Sequence, residues 1–117
     1  MHVESIREYC LSKPEATEGF PFGEDTLVFK VMDKMFALMN LEGDLSINLK
    51  CKPDKAIELR ENHSAVLPGY HMNKKYWNTV MVDDSVSDTL LKEWIDHSYD
   101  EVVKGLPDVK RKQLGYS

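Results

Sequence analysis

Residues 26–52 read TLVFKVMDKMFALMNLEGDLSINLKCK. Three runs rich in aliphatic and aromatic residues, Thr26 to Met32, Met35 to Leu41 and Leu45 to Lys52, are separated only by Asp33-Lys34 and Glu42-Gly43-Asp44. Connections that short join antiparallel neighbours, so the stretch predicts a three-stranded meander. The third run alternates most cleanly, with Leu45, Ile47, Leu49 and Cys51 on one side and Ser46, Asn48, Lys50 and Lys52 on the other. One face of the sheet is therefore expected to meet a core and the other to meet water.

Upstream, Val3, Ile6 and Cys10 recur at helical spacing with Tyr9 alongside, and Pro14 ends that helix. Glu15 to Asp25 holds Gly19, Pro21 and Gly23 among acidic residues, and is expected to be an irregular connector pinned to the core by Phe20 and Phe22. Downstream, Pro53 suits the first turn of a second helix that stops near His63. Val66 to Met72 and Tyr76 to Val82 predict a hairpin around Asn73-Lys74-Lys75, with Pro68 marking an edge or interrupted strand. Ser87 can cap a last helix that places Leu91, Trp94, Ile95, Ser98 and Val102 on one side and closes at Gly105 and Pro107. The order is α-β-β-β-α-β-β-α. It predicts a single α+β domain over residues 1–117, an antiparallel sheet with helices on one face, and a basic C-terminal tail over 107–117.

At 117 residues the chain fits one domain with a core of its own. Its 42% hydrophobic and 30% charged fractions belong to a globular rather than a disordered protein. The formal net charge of −5 opposes coating of nucleic acid by bulk charge and polybasic attachment to membranes. That charge is uneven: residues 26–82 carry 8 basic groups against 6 acidic, whereas residues 83–103 carry 1 against 7. No apolar run reaches the ~18 residues of a membrane span. The N-terminus MHVESIREYC is too charged for a signal peptide, so the cytoplasm is the expected compartment. Cys10 and Cys51 form no CxxC pair and are expected to be reduced thiols.

No catalytic motif is present: no GxSxG, no glycine-rich phosphate loop, no HExxH and no zinc-type cysteine spacing. The expectation is a non-enzyme without cofactor or metal. The acidic groups near the first helix and around Asp83, Asp84 and Asp88 read as solvated faces, because hard cations need several oxygens converging on one point. The unusual segment is residues 68–79, PGYHMNKKYWNT, where aromatics, lysines and asparagines crowd the tip of the second hairpin. Lysines can neutralise phosphates, aromatics can stack on bases and asparagines can read base edges. The candidate nucleic-acid or ligand-binding residues are Lys50, Lys52, Tyr70, His71, Asn73, Lys74, Lys75 and Trp77. Equally, Tyr70 and Trp77 could be core aromatics flanking a polar turn.

Several of these blocks together resemble the YjbR/MmcQ family. They are Pro21-Phe22-Gly23, Val28-Phe29-Lys30-Val31, Leu49-Lys50-Cys51-Lys52-Pro53, the segment from Pro68 to Thr79, and His97-Ser98-Tyr99-Asp100. Tyr76 stands where the family commonly has His. The resemblance implies a small bacterial cytoplasmic domain with a fold like CyaY, the bacterial frataxin, and a DNA-binding role through a double-wing arrangement of hairpins. It supplies no catalytic residues. Two functions follow as expectations: a DNA-binding domain making weak, phosphate-directed contacts, or a non-catalytic module for a protein or small-molecule ligand. In the second, residues 68–79 and Phe22-Gly23 would line a groove beside the last helix. Iron binding, suggested by a frataxin-like fold, would need acidic residues gathered on one ridge.

Overall fold

The computed structural model describes residues 1–116. Among them are strands β1 (Ala16–Gly19), β2 (Thr26–Val31), β3 (Lys34–Asn40), β4 (Ser46–Lys50), β5 (Val66–Pro68) and β6 (Trp77–Met81). They form one sheet in the spatial order β1-β2-β3-β4-β6-β5, with every neighbouring pair antiparallel. The helices are α1 (Val3–Leu11), α2 (Pro53–Asn62), α3 (Asp88–Lys104) and α4 (Asp108–Gln113).

Local chemistry explains most boundaries. Met32 and Asp33 both take positive φ, 48° and 68°, and connect the paired residues Val31 and Lys34. Positive φ at both central positions is the type I′ arrangement, whose twist suits a tight hairpin. The turn thus falls one residue earlier than the sequence pattern places it, because Lys34 is already paired. Pro53 opens α2 and His63 closes it. The Ser87 hydroxyl accepts from the Leu90 N–H at 3.1 Å, capping α3. At α1, His2 Nδ1 accepts from the Ser5 N–H while Ser5 Oγ accepts from the His2 N–H, a reciprocal capping box.

The core lies between α1, α3 and one face of the sheet. Leu27, Phe29, Val31, Ala37, Met39, Ile47, Leu49 and Val80 point into it from the strands. Trp94, Ile95, Tyr99 and Val103 meet them from α3, and Ile6 and Cys10 from α1. Full burial of each large apolar side chain contributes about 1.5–3 kcal/mol. Asn78, a buried polar residue of β6, accepts from Arg60 Nε at 2.7 Å and donates to the Ala56 carbonyl at 3.2 Å, tying α2 to the sheet. Burial pushes the Cys10 thiol up to about 12 and the Cys51 thiol up to about 11, so both free cysteines stay protonated at neutral pH.

A β-bulge interrupts the β2–β3 ladder. Phe29 faces Ala37 but Lys30 faces Met35, leaving Phe36 as the extra residue. Both Phe36 and Ala37 are fully buried. Ser98, also fully buried, donates from Oγ to the Phe36 carbonyl at 2.5 Å and accepts from the Lys50 N–H at 2.8 Å. Its hydroxyl thus joins β3 and β4 where their ladder ends at Ala37–Leu49. Tyr99 packs edge-on to Phe36 with ring centroids 5.3 Å apart, and its hydroxyl donates to the Pro14 carbonyl at 2.6 Å.

Three expectations need correction. The stretch read as an irregular connector contains β1, whose four residues pair with Val28 to Val31. Such a short edge strand shows no apolar alternation because only its backbone has to pair. Phe20 and Phe22 do not enter the core; both are exposed, Phe22 at 65%. The C-terminal tail is not a plain tail: Asp108–Gln113 forms α4, and Leu114 and Tyr116 fold back onto the core. Ser117, the end of that predicted tail, lies outside the described residues. No helix among the described residues is long and apolar enough to cross a membrane.

Replacing Ser98 with Ala should leave the Phe36 carbonyl and the Lys50 N–H unpartnered in the core and destabilise the fold by about 1–3 kcal/mol. Urea denaturation of the two proteins measures the difference, and a change below 0.5 kcal/mol, roughly the lower bound for a single hydrogen bond, would contradict this role.

Candidate functional site

With α1 and α3 on one face, the opposite face of the sheet carries its own rows of side chains. Register sets a central row, Val28–Leu38–Asn48–Thr79–Leu67, and a second row, Thr26–Asn40–Ser46–Met81. The floor these rows make is the base of a cleft of about 640 Å³. Because the bulge turns both Phe36 and Ala37 inward, Met35 and Leu38 on either side of them line this cleft. One wall is Phe22, from the segment before β2; the other is Tyr70-His71-Met72, from the long connection between β5 and β6.

The second wall is seated by hydrogen bonds rather than by apolar packing. The Gly69 N–H donates to the Trp77 carbonyl at 2.9 Å, and the Tyr70 N–H donates to Thr79 Oγ1 at 2.9 Å. That hydroxyl donates in turn to Asn48 Oδ1, and Asn48 Nδ2 donates to the Tyr70 carbonyl at 3.3 Å. Gly69 is needed for this approach: a Cβ there would stand 2.9 Å from both Cβ and the carbonyl oxygen of Trp77. His71 follows in the left-handed region at φ 59°, and its ring lies 4.0 Å from that of Tyr70. The connection is held tightly yet presents Tyr70 at 69% exposure.

The cleft's charge is one-sided. Asp25, Glu42 and Asp44 rim one end, and neither Lys nor Arg is among its lining residues. The Asp25 carbonyl accepts from the Leu41 N–H at 2.8 Å, which brings the start of β2 against the turn that carries Glu42 and Asp44. Among the described residues, no group of three or more His, Cys, Asp or Glu is placed to hold a metal ion.

The structure separates the residues singled out from sequence. Tyr70 and His71 line the cleft. Asn73, Lys74 and Lys75 shape the loop behind them: Asn73 Oδ1 accepts from the Lys75 N–H at 2.9 Å, and Lys74 Nζ donates to the Gly69 carbonyl at 3.0 Å. Lys75 Nζ sits 5.5 Å from the Tyr76 ring centroid. Trp77 is half-buried beside Gly69, in register with Lys50. Lys52 belongs elsewhere, at the start of α2, on a groove of mixed charge between α2 and α3 whose walls include Lys55, Glu58, Glu93 and Trp94. The eight residues therefore form no single basic surface. The expected groove of Phe22 and residues 68–79 does exist, but on the face away from the last helix, because α3 occupies the other side of the sheet. Sequence reasoning missed Leu38, Ser46 and Asn48, whereas Thr79 falls within the expected segment 68–79; the polar alternation of β4 marks Ser46 and Asn48 as outward but cannot tell a cleft floor from open surface.

This geometry is that of an antiparallel α+β domain with a one-sided helical cover and a recessed open face. The family model described as YjbR matches residues 11–101, and the chain belongs to that family. It is 36% identical over 115 residues to the uncharacterized protein YjbR of Escherichia coli K12, covering 97% of this chain and 98% of the relative. It is likewise 36% identical over 112 residues to the uncharacterized protein YbdF of Escherichia coli O157:H7, covering 95% and 92%. The crystal structure of Deinococcus radiodurans protein DR2400, with a DUF419 domain, superposes with a TM-score of 0.89 at 41% identity over 97% of this chain and 88% of that one. A Pseudomonas syringae protein gives a TM-score of 0.76 at 25% identity over 86% and 98%.

Thr79→Val keeps the shape but removes the hydroxyl that links the 69–76 connection to β4 and β6. It should destabilise the protein by about 1 kcal/mol and speed amide hydrogen exchange at Tyr70 while leaving core amides protected; unchanged exchange at Tyr70 would contradict the proposed seating. A second expectation concerns pH. Burial, with Lys55 nearby, lowers the His97 pKa below its ordinary value, and His97 Nε2 accepts from the Lys52 N–H at 3.3 Å, which requires the neutral ring. The unfolded chain therefore takes up a proton first, so this contribution is fully present above the unfolded value near 6.5 and is lost as pH falls below it. Denaturation midpoints between pH 7.5 and 5.5 should fall less steeply in His97→Gln than in the native chain.

Proposed function

We propose that this member of the YjbR family is a non-catalytic binding module whose working surface is the open-face cleft, and that its ligand is a small molecule. The observation that carries this reading is the cleft's lining: apolar and neutral polar side chains on the floor, exposed aromatics on two opposed walls, and neither Lys nor Arg among them. A cavity of hundreds of cubic ångströms with a few placed polar groups has the character of a small-molecule site. The Thr79 hydroxyl is engaged with Asn48 and the Tyr70 backbone rather than with a general base, which favours recognition over chemistry.

DNA binding is the second reading. It is favoured by the two loops bearing Phe22 and Tyr70, which flank one sheet face as two wings would, and by Lys50, Lys74 and Lys75 around the start of β6. The acidic rim opposes a polyanion lying in the cleft itself, so phosphates would have to meet the lysines outside it.

Two measurements separate the readings. In an NMR screen of neutral aromatic fragments, hits should shift the amides of Leu38, Asn48, Thr79 and Tyr70, and a Phe22→Ala/Tyr70→Ala variant should weaken them about tenfold without loss of stability, since both rings are exposed. Shifts confined to the α2–α3 groove would sink the cleft reading. Fluorescence anisotropy with duplex and single-stranded 20-mers should show no binding in the ~10⁻⁴–10⁻⁶ M range of non-specific DNA binders. A log–log salt slope of roughly −2.7, the value for three neutralised phosphates, that vanishes in Lys74→Glu/Lys75→Glu would establish the DNA reading instead.

A further inference from the structure

We infer that the cleft selects a small organic cation, an apolar body carrying one ammonium group. This rests on the cleft being a ligand site, as proposed above, and adds the chemistry of what it takes.

Three observations converge on that class. The first is the arrangement of charge: Asp25, Glu42 and Asp44 stand together at one end of the cleft, with no Lys or Arg among its lining residues to compensate them. The second is Ser46, which lines the same end in register with Asn40 and Met81. Its side chain lies on the cleft side of β4, since Ile47 beside it faces the core. The residue is only 9% exposed, yet its hydroxyl makes no hydrogen bond among the described residues and is not sealed from solvent, since the buried side-chain atoms there without a partner are Glu101 Oε2 and Arg111 Nε. A hydroxyl so placed is solvated in the open cleft and free to accept from an N–H donor of a ligand. The third is the remainder of the cleft, where Leu38, Met35 and Leu67 offer apolar surface and Phe22 and Tyr70 offer exposed rings. Aromatic faces attract cations as well as apolar groups.

The same features exclude neighbouring ligand classes. A bare divalent metal needs about six or more oxygens converging at short range, and the rim carboxylates form no such group among the described residues. A neutral apolar molecule would leave the carboxylate end and Ser46 unused. An anion would meet like charge. An amine on an apolar body uses all three: its body on the floor and between the rings, its ammonium N–H groups toward Ser46 and the rim.

The test uses three matched probes on the whole chain: 2-naphthylmethylammonium, 2-naphthylmethanol and 2-naphthoate, titrated at low salt and followed by NMR. The ammonium should bind about tenfold more tightly than the alcohol, with the carboxylate weakest, and should shift the amides of Leu38, Ser46, Asn48 and Thr79. Tenfold corresponds to about 1.4 kcal/mol. Raising the salt to 0.5 M should shrink the preference by screening the rim. An Asp25→Asn/Glu42→Gln/Asp44→Asn variant, altered only at exposed positions, should bind all three probes alike. If the alcohol binds the native cleft as well as the ammonium does, the charge assignment is overturned while the ligand site stands. If no probe shifts the cleft amides, both fall.

Discussion

The bulge opposite Phe29 and the Ser98 hydroxyl that completes it underlie both sides of this sheet. In a regular strand, successive side chains alternate between faces, so Phe36 and Ala37 could not both be buried in one core. The extra residue lets both turn inward, and it sends Met35 and Leu38 together to the other face. The cost is a break in the ladder, which would leave the Phe36 carbonyl and the Lys50 N–H unpaired in the interior. Ser98 satisfies both from α3. One buried hydroxyl thus reconciles the packing of the core with the floor of the cleft. It also accounts for the Ser-Tyr block near the end of the chain as structural: Ser98 holds the strands, and Tyr99 reaches Pro14.

Recognition on the open face depends on a division of labour within residues 68–79. Its asparagine and lysines, which invite a nucleic-acid reading, mainly build the loop: Asn73 caps its own turn and Lys74 bonds back to Gly69. What the loop presents is the Tyr70–His71 pair. Polar groups spent on internal hydrogen bonds give a rigid wall, and a rigid wall loses less conformational entropy when a ligand docks. The acidic rim opposite this wall then turns the chain's net negative charge from a general property into a local one.

Much of the architecture was legible from alternation and turn residues. The meander over residues 26–52, the capped α3 and the Pro53-led α2 all follow from signals confined to a few neighbouring residues. The cleft was only half legible. Tyr70, His71 and Phe22 stand out by composition, whereas Leu38, Ser46 and Asn48 look like any outward strand positions. The side of the sheet on which the groove opens was misread, since nothing local tells which face a distant helix will cover. β1 escaped notice for a related reason: its pairing with β2 is a backbone matter, and its side chains need not alternate.

The sequence by itself therefore determined the eight elements from α1 to α3 other than β1, their order, the antiparallel hairpins and the family, because periodicity, caps and turns act over a handful of bonds. Tertiary structure alone decided that Lys52 parts from Lys50, Lys74 and Lys75, that Asp25, Glu42 and Asp44 gather at one end, and that Ser46 lies recessed between Asn40 of β3 and Met81 of β6. Those outcomes depend on register and on a single inserted residue in β3. A shift of one position reverses which side chains share a face, and no local pattern carries that information across the sheet.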